Sequence, residues 1–499
     1  VRQSNSPPGI KIKPYVYEQF VGLNTERHHS ALDTGKNQYL AGLRDAFCDR
    51  QGQIVREPSA RWLESDEYIS NVWQISGDSY VYAEHLSGGV TLRSNAGHLR
   101  EEAFAVGSVM SGAIFSRNLY IASFGQPVKY YDGSLFRELG APSLQTDPPA
   151  FLTSVNRRIA CAGMARYPMR VWLSRVDMDD VFPNDEDPND TNVLRAGSID
   201  ISNMSNSGDV ITGIAGFEWN RLAIFTNNQT LLYQVDPNVE NWSIQDQTAI
   251  DVGCVSHNTI VNSGSELLFC SSEGVHALRR SRYNNISVYS INLSDDVLML
   301  YRELYETVSA KQRINAAWDS ETRRLHIFFP YSRIESHRLS VYVPKEDDEI
   351  PRWSYGRYLN ATCAFNLADR FLIGTPGGVF ERYKVGQVAT FGVDLTMEIV
   401  TPMFWLGSMS RNKTVYSLLV HCVGTGQLTI TVMDDQDAVV ATEVVEIDDN
   451  RVGDKLPGIP LMHQFERKLD RSLLGMQLKL ESTGTDLLRI NGLAVNIRE

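Results

Sequence analysis

Residues 222–236 read LAIFTNNQTLLYQVD: an apolar run from Leu222 to Phe225, a polar turn over Asn227-Asn228, and a second apolar run from Leu231. Apolar runs of this length on either side of a short Asn-containing turn are the signature of an antiparallel hairpin. Six more stretches share the pattern: YVYAEHLSGGVTLRS, LYIASFGQPVKYYDG, IACAGMARYPMRVWLSR, LLFCSSEGVHALRR, LHIFFPYSRIESHRLSVYV and FLIGTPGGVFERYKV. The seven open at Tyr80, Leu119, Ile159, Leu222, Leu267, Leu325 and Phe371. Their spacing is about 40 to 60 residues, the length of a four-stranded propeller blade with loop insertions. No residue type recurs in them that could bind a metal or act as a nucleophile, so the repeat reads as architecture.

The fold expected is therefore all-β: a β-propeller of about seven blade-like units over residues 76–386. Residues 1–75 read as a polar, Pro-rich arm followed by a hairpin, with Gln51-Gly52 at its turn and Ile54-Val55 opening the return strand. From 387 to 499 the runs lengthen (LTMEIVTPMFWL, TVYSLLVHCV, GQLTITVMD, AVVATEVVEI, LLGMQLKLES, LLRINGLAVNI) and predict a C-terminal antiparallel β-sandwich. Leu478 and Leu480 alternate with Gln477 and Lys479, as on a half-exposed sheet. One helix is predicted, in LSDDVLMLYRELYETVSAKQRI: Ser294 as N-cap, Asp295 and Asp296 in the first turn, and Val297, Leu300, Tyr301 and Leu304 on one face.

Composition bounds the function. The 499 residues are 42% hydrophobic and 21% charged, with a formal net charge of −13. Gripping nucleic-acid phosphates calls for clustered Lys and Arg, which this balance disfavours. The six cysteines (Cys48, Cys161, Cys254, Cys270, Cys363, Cys422) form no CxxC, and the pattern fits folding in a reducing compartment. No apolar stretch approaches the ~20 residues that span a bilayer, and VRQSNSPPGIKIKPYV lacks the apolar core of a secretion signal. The expectation is a protein made in a cytoplasm, with no membrane-spanning segment.

Chemical motifs are weak. The ten histidines include no HxH, HExxH or Cys–His zinc spacing, and His28-His29 reads as a solvated pair. Gly77-Asp78-Ser79 resembles the start of a GDS-type esterase motif, but Ser79 leads into a strand rather than a strand-to-helix elbow. Trp318-Asp319 occurs once, whereas a WD-repeat scaffold would repeat it. Sialidase-type boxes are missing from all seven units. One charge run stands out: Asp177, Asp179, Asp180, Asp185, Glu186, Asp187 and Asp190, in a Pro-punctuated insertion without EF-hand order. Mutual repulsion predicts a loop that faces solvent or a water-filled lumen. The expectation is no catalysis, no cofactor and no metal.

Three stretches together resemble the tail hub and nozzle proteins of podoviruses. GLNTERHHSALDTGKNQYLAGLRDAFCDRQGQIVREPSARW is similar to the opening of those proteins. VWLSRVDMDDVFPND resembles their W-S-x-x-x-D-x-x-x-F segment, with IAGFEWNRLAIFTNNQTLLYQVD and DVGCVSHNTIVNSGSELLFCSSEGVHALRR similar to the blades that follow. FERKLDRSLLGMQLKLESTGTDLLRINGLAVNIRE resembles their end. The acidic NDEDPND insertion departs from that pattern. The resemblance implies a structural protein of a short-tailed phage, made in the bacterial cytoplasm and resident in the virion tail. It implies a homo-hexamer below the head-to-tail adaptor ring that carries needle, plug or fibres and passes genomic DNA without sequence-specific binding. An acidic wall suits that role, since it leaves the duplex its own counterions. Competing readings are a propeller-type glycan depolymerase, which needs paired carboxylates in the central pocket, and a non-viral interaction scaffold.

Overall fold

Each quoted hairpin is the middle pair of strands of a four-stranded antiparallel unit in the computed structural model, which describes residues 12–498 apart from 29–30, 33–37, 77, 96–99, 188, 205–207, 219, 245–249, 281–287, 346–348, 368–369, 388, 390, 407–409 and 448–461. His29 and Gly77 thus lie outside the described residues. The first unit runs Tyr68–Ser76, Ser79–Leu86, Gly89–Ser94 and Arg100–Phe104, and the fourth Ile211–Phe217, Arg221–Thr226, Thr230–Gln234 and Ser243–Ile244. Five further units repeat this meander, and the chain is a seven-bladed β-propeller. The innermost strands lie side by side around the axis, until Cys363–Leu367 of the seventh blade meets Tyr68–Ser76 of the first. The second strands are buried along both faces: Arg221–Thr226, Leu267–Ser271 and Arg324–Pro330 have every residue buried. That double burial is why they read as continuous apolar runs.

Closure of the ring moves the N-terminal boundary. The fourth strand of the seventh blade is not its own next segment but Ala60–Glu64, antiparallel to Gly378–Arg382 with Arg382 opposite Ala60. The propeller therefore draws on residues upstream of the expected start at 76. Just before this strand a buried ion network fixes it. Glu57 accepts hydrogen bonds of 2.5 and 2.8 Å from Nη1 and Nη2 of Arg324 and lies 3.3 Å from Arg338. Arg382 donates to Asp319 at 2.6 Å, and His326 lies 3.8 Å from the same carboxylate. Burial alone would raise Glu57 and Asp319, but their arginine partners outweigh it and hold both carboxyls far below the ordinary range.

Strands from Leu395 onward do not form a unit by themselves. They divide between two sheets, each of which takes in N-terminal strands. One sheet orders Met462–Leu473, Lys413–Gly424, Leu488–Arg498, Ile54–Arg56 and Ala46–Cys48, with Ile12–Tyr17 also pairing to Leu488–Arg498. The other continues the outer strand of the sixth blade, Arg352–Gly356, through Gly42–Arg44, Leu395–Val400, Met476–Gly484, Gly426–Asp434 and Val439–Ile447. Leu418, Val420, Ile430, Leu478, Leu480 and Val495 from both sheets share one apolar core with blade residues such as Leu325 and Val341. Gln477, expected at a half-exposed position, is buried and donates to the carbonyl of Thr401 at 2.8 Å.

The expected helix forms as a 3-10 turn, Asp295–Val297, running into Leu298–Thr307, with Val297, Tyr301 and Leu304 buried. Ser294 is not its side-chain cap: its hydroxyl donates to Asn292 and accepts from the amide of Val275. The cap comes from far away in sequence, where Glu26 accepts from the amide of Met299 at 2.6 Å. A second short helix, Pro142–Thr146, has no helical period in the sequence. All six cysteines are buried free thiols. Among the described residues no helix is long and apolar enough to cross a membrane.

Removing one partner of a buried pair leaves the other charge uncompensated, at a cost of about 3–5 kcal/mol. Glu57→Gln is therefore expected to lower urea-unfolding stability by about that amount, whereas Asp177→Asn, in an exposed pair with Arg157, costs under about 1 kcal/mol.

A pH dependence also follows. Burial holds His276 and His326 at about 4, so both are neutral in the fold at pH 7. An unfolded imidazole binds its proton near pH 6.5, so stability is full above that value and is lost as pH falls through 4. Between pH 7 and pH 5 each buried histidine is expected to remove on the order of 1–2 kcal/mol. Glu57 and Asp319, depressed carboxylates, keep their contribution throughout that window and lose it only at lower pH. The drop in Tm from pH 7 to pH 5 should be shallower in a His276→Asn, His326→Asn double variant.

Candidate functional site

A meandering blade places the lead-in to its first strand and its second-to-third-strand turn on one face of the ring. The first-to-second-strand turn and the third-to-fourth-strand link fall on the other. On the first face these segments from the second through sixth blades surround a funnel of about 1040 Å³. The turn at Phe124 and Asn227-Asn228, and the lead-ins at Ala105–Val109, Cys254–Asn258 and Lys311-Gln312, make its wall.

The wall is braced from behind. Gln126 accepts from the Ala105 amide and donates to Ser108, both at 2.9 Å, which ties the lead-in of the second blade to its own turn. Asp209 accepts from the Asn227 amide at 3.0 Å, from its side-chain Nδ2 at 2.8 Å and from Asn228 Nδ2 at 3.4 Å. Burial raises the Asp209 carboxyl, but hydrogen bonds from Thr226 and Asn227 outweigh it and leave the group ionised below its ordinary value. Asn227 and Asn228 are thereby set in place with their side-chain N–H groups turned to Asp209.

Three groups on the wall have the right atoms for catalysis and the wrong environment. Burial lowers His257 to about 4, and its Nδ1 accepts from the amide of Ile214 at 3.4 Å while its ring stacks on Phe151. Ser256 donates to the carbonyls of Gln312 and Ile314, each at 3.0 Å, and is not aligned with the histidine. Burial pushes the Cys254 thiol up to about 11, which removes the thiolate a nucleophile needs. Among the described residues no Asp or Glu lines the funnel, so the two-carboxylate arrangement of a glycosidase has no groups among them. Among the described residues no cluster of three or more His, Cys, Asp or Glu could hold a metal.

The acidic insertion lies on the opposite face, in the link between the third and fourth strands of the third blade, Arg170–Leu173 and Gly197–Asp200. Its charges are not left to repel one another. Arg157, at a first-to-second-strand turn, pairs with Asp177, and Tyr120 donates to Asp179. Arg175 reaches Glu186 at 3.2 Å and Asp190 at 3.0 Å. Asp185 accepts from the amide and hydroxyl of Ser143, at 2.9 and 2.6 Å, and from the amide of Phe182 at 3.2 Å. Phe182 is fully buried between the second and third blades beside Trp172 and Leu144. The expected solvent loop is thus a clamped one, with Asp177, Asp180 and Asp187 exposed and Asp179, Asp185, Glu186 and Asp190 half-buried. The funnel carries none of these seven residues, and its own residues left no motif in the sequence because they come from loops of five blades.

No family model matches the chain, and no curated protein matches it. The solved structures similar to it include YCF48 bound to a D1 peptide, at 10% identity and TM-score 0.39, covering 66% of this chain and 96% of that one. YCF48 from Cyanidioschyzon merolae gives 10% and 0.36, covering 66% and 98%. The extracellular domain of a putative hybrid two-component system, BT4673, from B. thetaiotaomicron gives 10% and 0.39, covering 72% of this chain and 42% of that one.

Truncating a buried aromatic costs about 3–5 kcal/mol. Phe182→Ala is expected to cost that much in thermal or urea unfolding and to open residues 177–190 to limited proteolysis. Asp187→Ala, exposed and bonded only within its own turn, should change stability by less than about 0.5 kcal/mol.

Proposed function

We propose that this chain is a structural protein of a short-tailed phage virion: a tail hub or nozzle subunit, six copies of which ring the DNA channel below the head-to-tail adaptor and carry needle, plug or fibres. The observation that carries the reading is where the resembling stretches go. The first and the third are separated by some four hundred residues of chain, yet they build one module. Ile54–Arg56 pairs with Leu488–Arg498, and Gly42–Arg44 and Met476–Gly484 flank Leu395–Val400. Arg56 donates to the carbonyl of Asp486 at 3.0 Å and to Ser482. In the second stretch, Trp172 and Phe182 of VWLSRVDMDDVFPND meet in one apolar cluster. Those features therefore support one another as parts of a fold.

Two further observations agree. The outer strand of the sixth blade pairs with Gly42–Arg44, so this blade and one of the module's two sheets form a single nine-stranded sheet, a link suited to bearing load along a tail. Asp180 and Asp187 are exposed on the face opposite the funnel, where in such a ring they would add negative charge beside the channel or a neighbouring tail protein. With a net charge of −13, such a ring would leave the duplex its counterions and let it slide.

The test is a cryo-electron reconstruction of short-tailed particles assembled with this chain. Six copies around the tail channel are expected. Particles that lack the chain, or hold it in two- or threefold symmetry, would sink the reading.

A further inference from the structure

We propose that the propeller funnel is a binding site for an extended, acidic peptide segment of a partner protein, with apolar side chains on its aliphatic wall and a carboxylate at its Lys311–Arg313 edge. The site belongs to the single chain, and the proposal stands whether or not the chain forms a ring.

Charge is the first argument. The chain holds 60 Asp and Glu against 47 Lys and Arg, yet among the described residues the funnel wall contains no carboxylate and one ammonium, Lys311. That ammonium lies 4.0 Å from the centre of the Tyr305 ring and donates to the Tyr305 carbonyl, while Glu306 stands 3.9 Å away. An ammonium has three donors, and the carbonyl takes one. Arg313, exposed, brings its guanidinium within 3.5 Å of where a Cβ on Gly107 would lie, which puts a second cation beside the wall. Glu306 offsets part of the Lys311 charge and Asp209 stands behind Asn227 and Asn228, so the exposed guanidinium of Arg313 is the cation that marks this edge for an anionic group.

Surface chemistry separates a peptide from a saccharide. Phe124 is 63% exposed, Val106 56% and Val210 41%, all at the funnel. Phe124 gives the wall an aromatic face, but Val106 and Val210 offer a sugar nothing flat to stack on, and among the described residues no carboxylate lines the wall to accept from vicinal hydroxyls. Aliphatic walls do fit the alternate side chains of an extended peptide, and a peptide backbone needs a few fixed polar groups for register. Asn227 and Asn228 supply them. Their N–H groups are engaged with Asp209, which pre-orders the turn so that binding does not have to.

A random dodecapeptide phage-display library selected on the full-length chain tests this. Enrichment of acidic, apolar-rich peptides is expected, with binding of a selected peptide, read by fluorescence anisotropy, weakened about tenfold or more by Arg313→Glu and by Val106→Asp. Asp187→Ala, on the opposite face, should leave it unchanged, and circular dichroism confirms that each variant is folded. The proposal is overturned by no enrichment, by enrichment of basic peptides, or by affinities that neither funnel variant moves. Displacement of the peptide by oligogalacturonate at equal concentration would also overturn it, assigning the funnel to acidic saccharides.

Discussion

The carboxylate of Glu57 sits under two guanidinium groups at the point where the chain turns from the N-terminal module into the propeller. Three residues later Ala60–Glu64 becomes the outer strand of the seventh blade, so this contact sets where the closing strand begins. A propeller whose last blade ends on a strand from the other end of the chain cannot open without breaking that pairing. The ion network makes the junction costly to slip, because a one-residue shift would pull Glu57 away from Arg324 and Arg338 and leave buried charges unpaired. Phe47 covers Arg324 and Phe371 covers Arg382, each with its ring under the guanidinium, which keeps water from screening the pairs.

From this junction the rest of the architecture follows. Asp45, 3.6 Å from Arg338, follows directly on the strand Gly42–Arg44, which lies beside the outer edge of the sixth blade. Sheet pairing then passes outward to Leu395–Val400 and Met476–Gly484. One hydrophobic core runs from the fifth and sixth blades through the helix Leu298–Thr307 into both sheets of the module. That helix is capped by Glu26 and held by Asn24 on Asp296, so the N-terminal segment stitches the propeller and the module together at two points. Strong electrostatics are placed at these seams, whereas among the described residues no carboxylate lines the funnel.

Legibility in the sequence tracked burial. The second strand of each blade was visible because both its faces are dry and apolar residues run on without alternation, whereas a third strand such as Gln126–Tyr131 is mostly half-buried. Inner and outer strands were not: Ser243–Ile244 and Val261–Asn262 are two residues long, and Ala60–Glu64, reading ARWLE, has two exposed residues in five and no apolar run. The helix was legible from its buried face, but its cap was not, since the capping carboxylate lies some 270 residues upstream. In the acidic insertion, seven carboxylates in fourteen residues predicted repulsion. Their partners Tyr120, Ser143 and Arg157 belong to other segments, and no local reading could supply them.

What the amino-acid sequence determined by itself is the repeat: its number, its β character and the apolar hairpin at the centre of each blade. Those depend on short-range periodicity and on side chains that must leave water wherever the hairpin docks. Tertiary structure alone decided how the ring closes, which strands join the outer module and where the funnel stands. Each of these is a pairing between segments hundreds of residues apart, chosen by hydrogen-bond register and by the need of buried charges such as Glu57 and Asp319 to find a partner. Such pairings leave no period in the chain, because the energy that selects them exists only once the two segments meet.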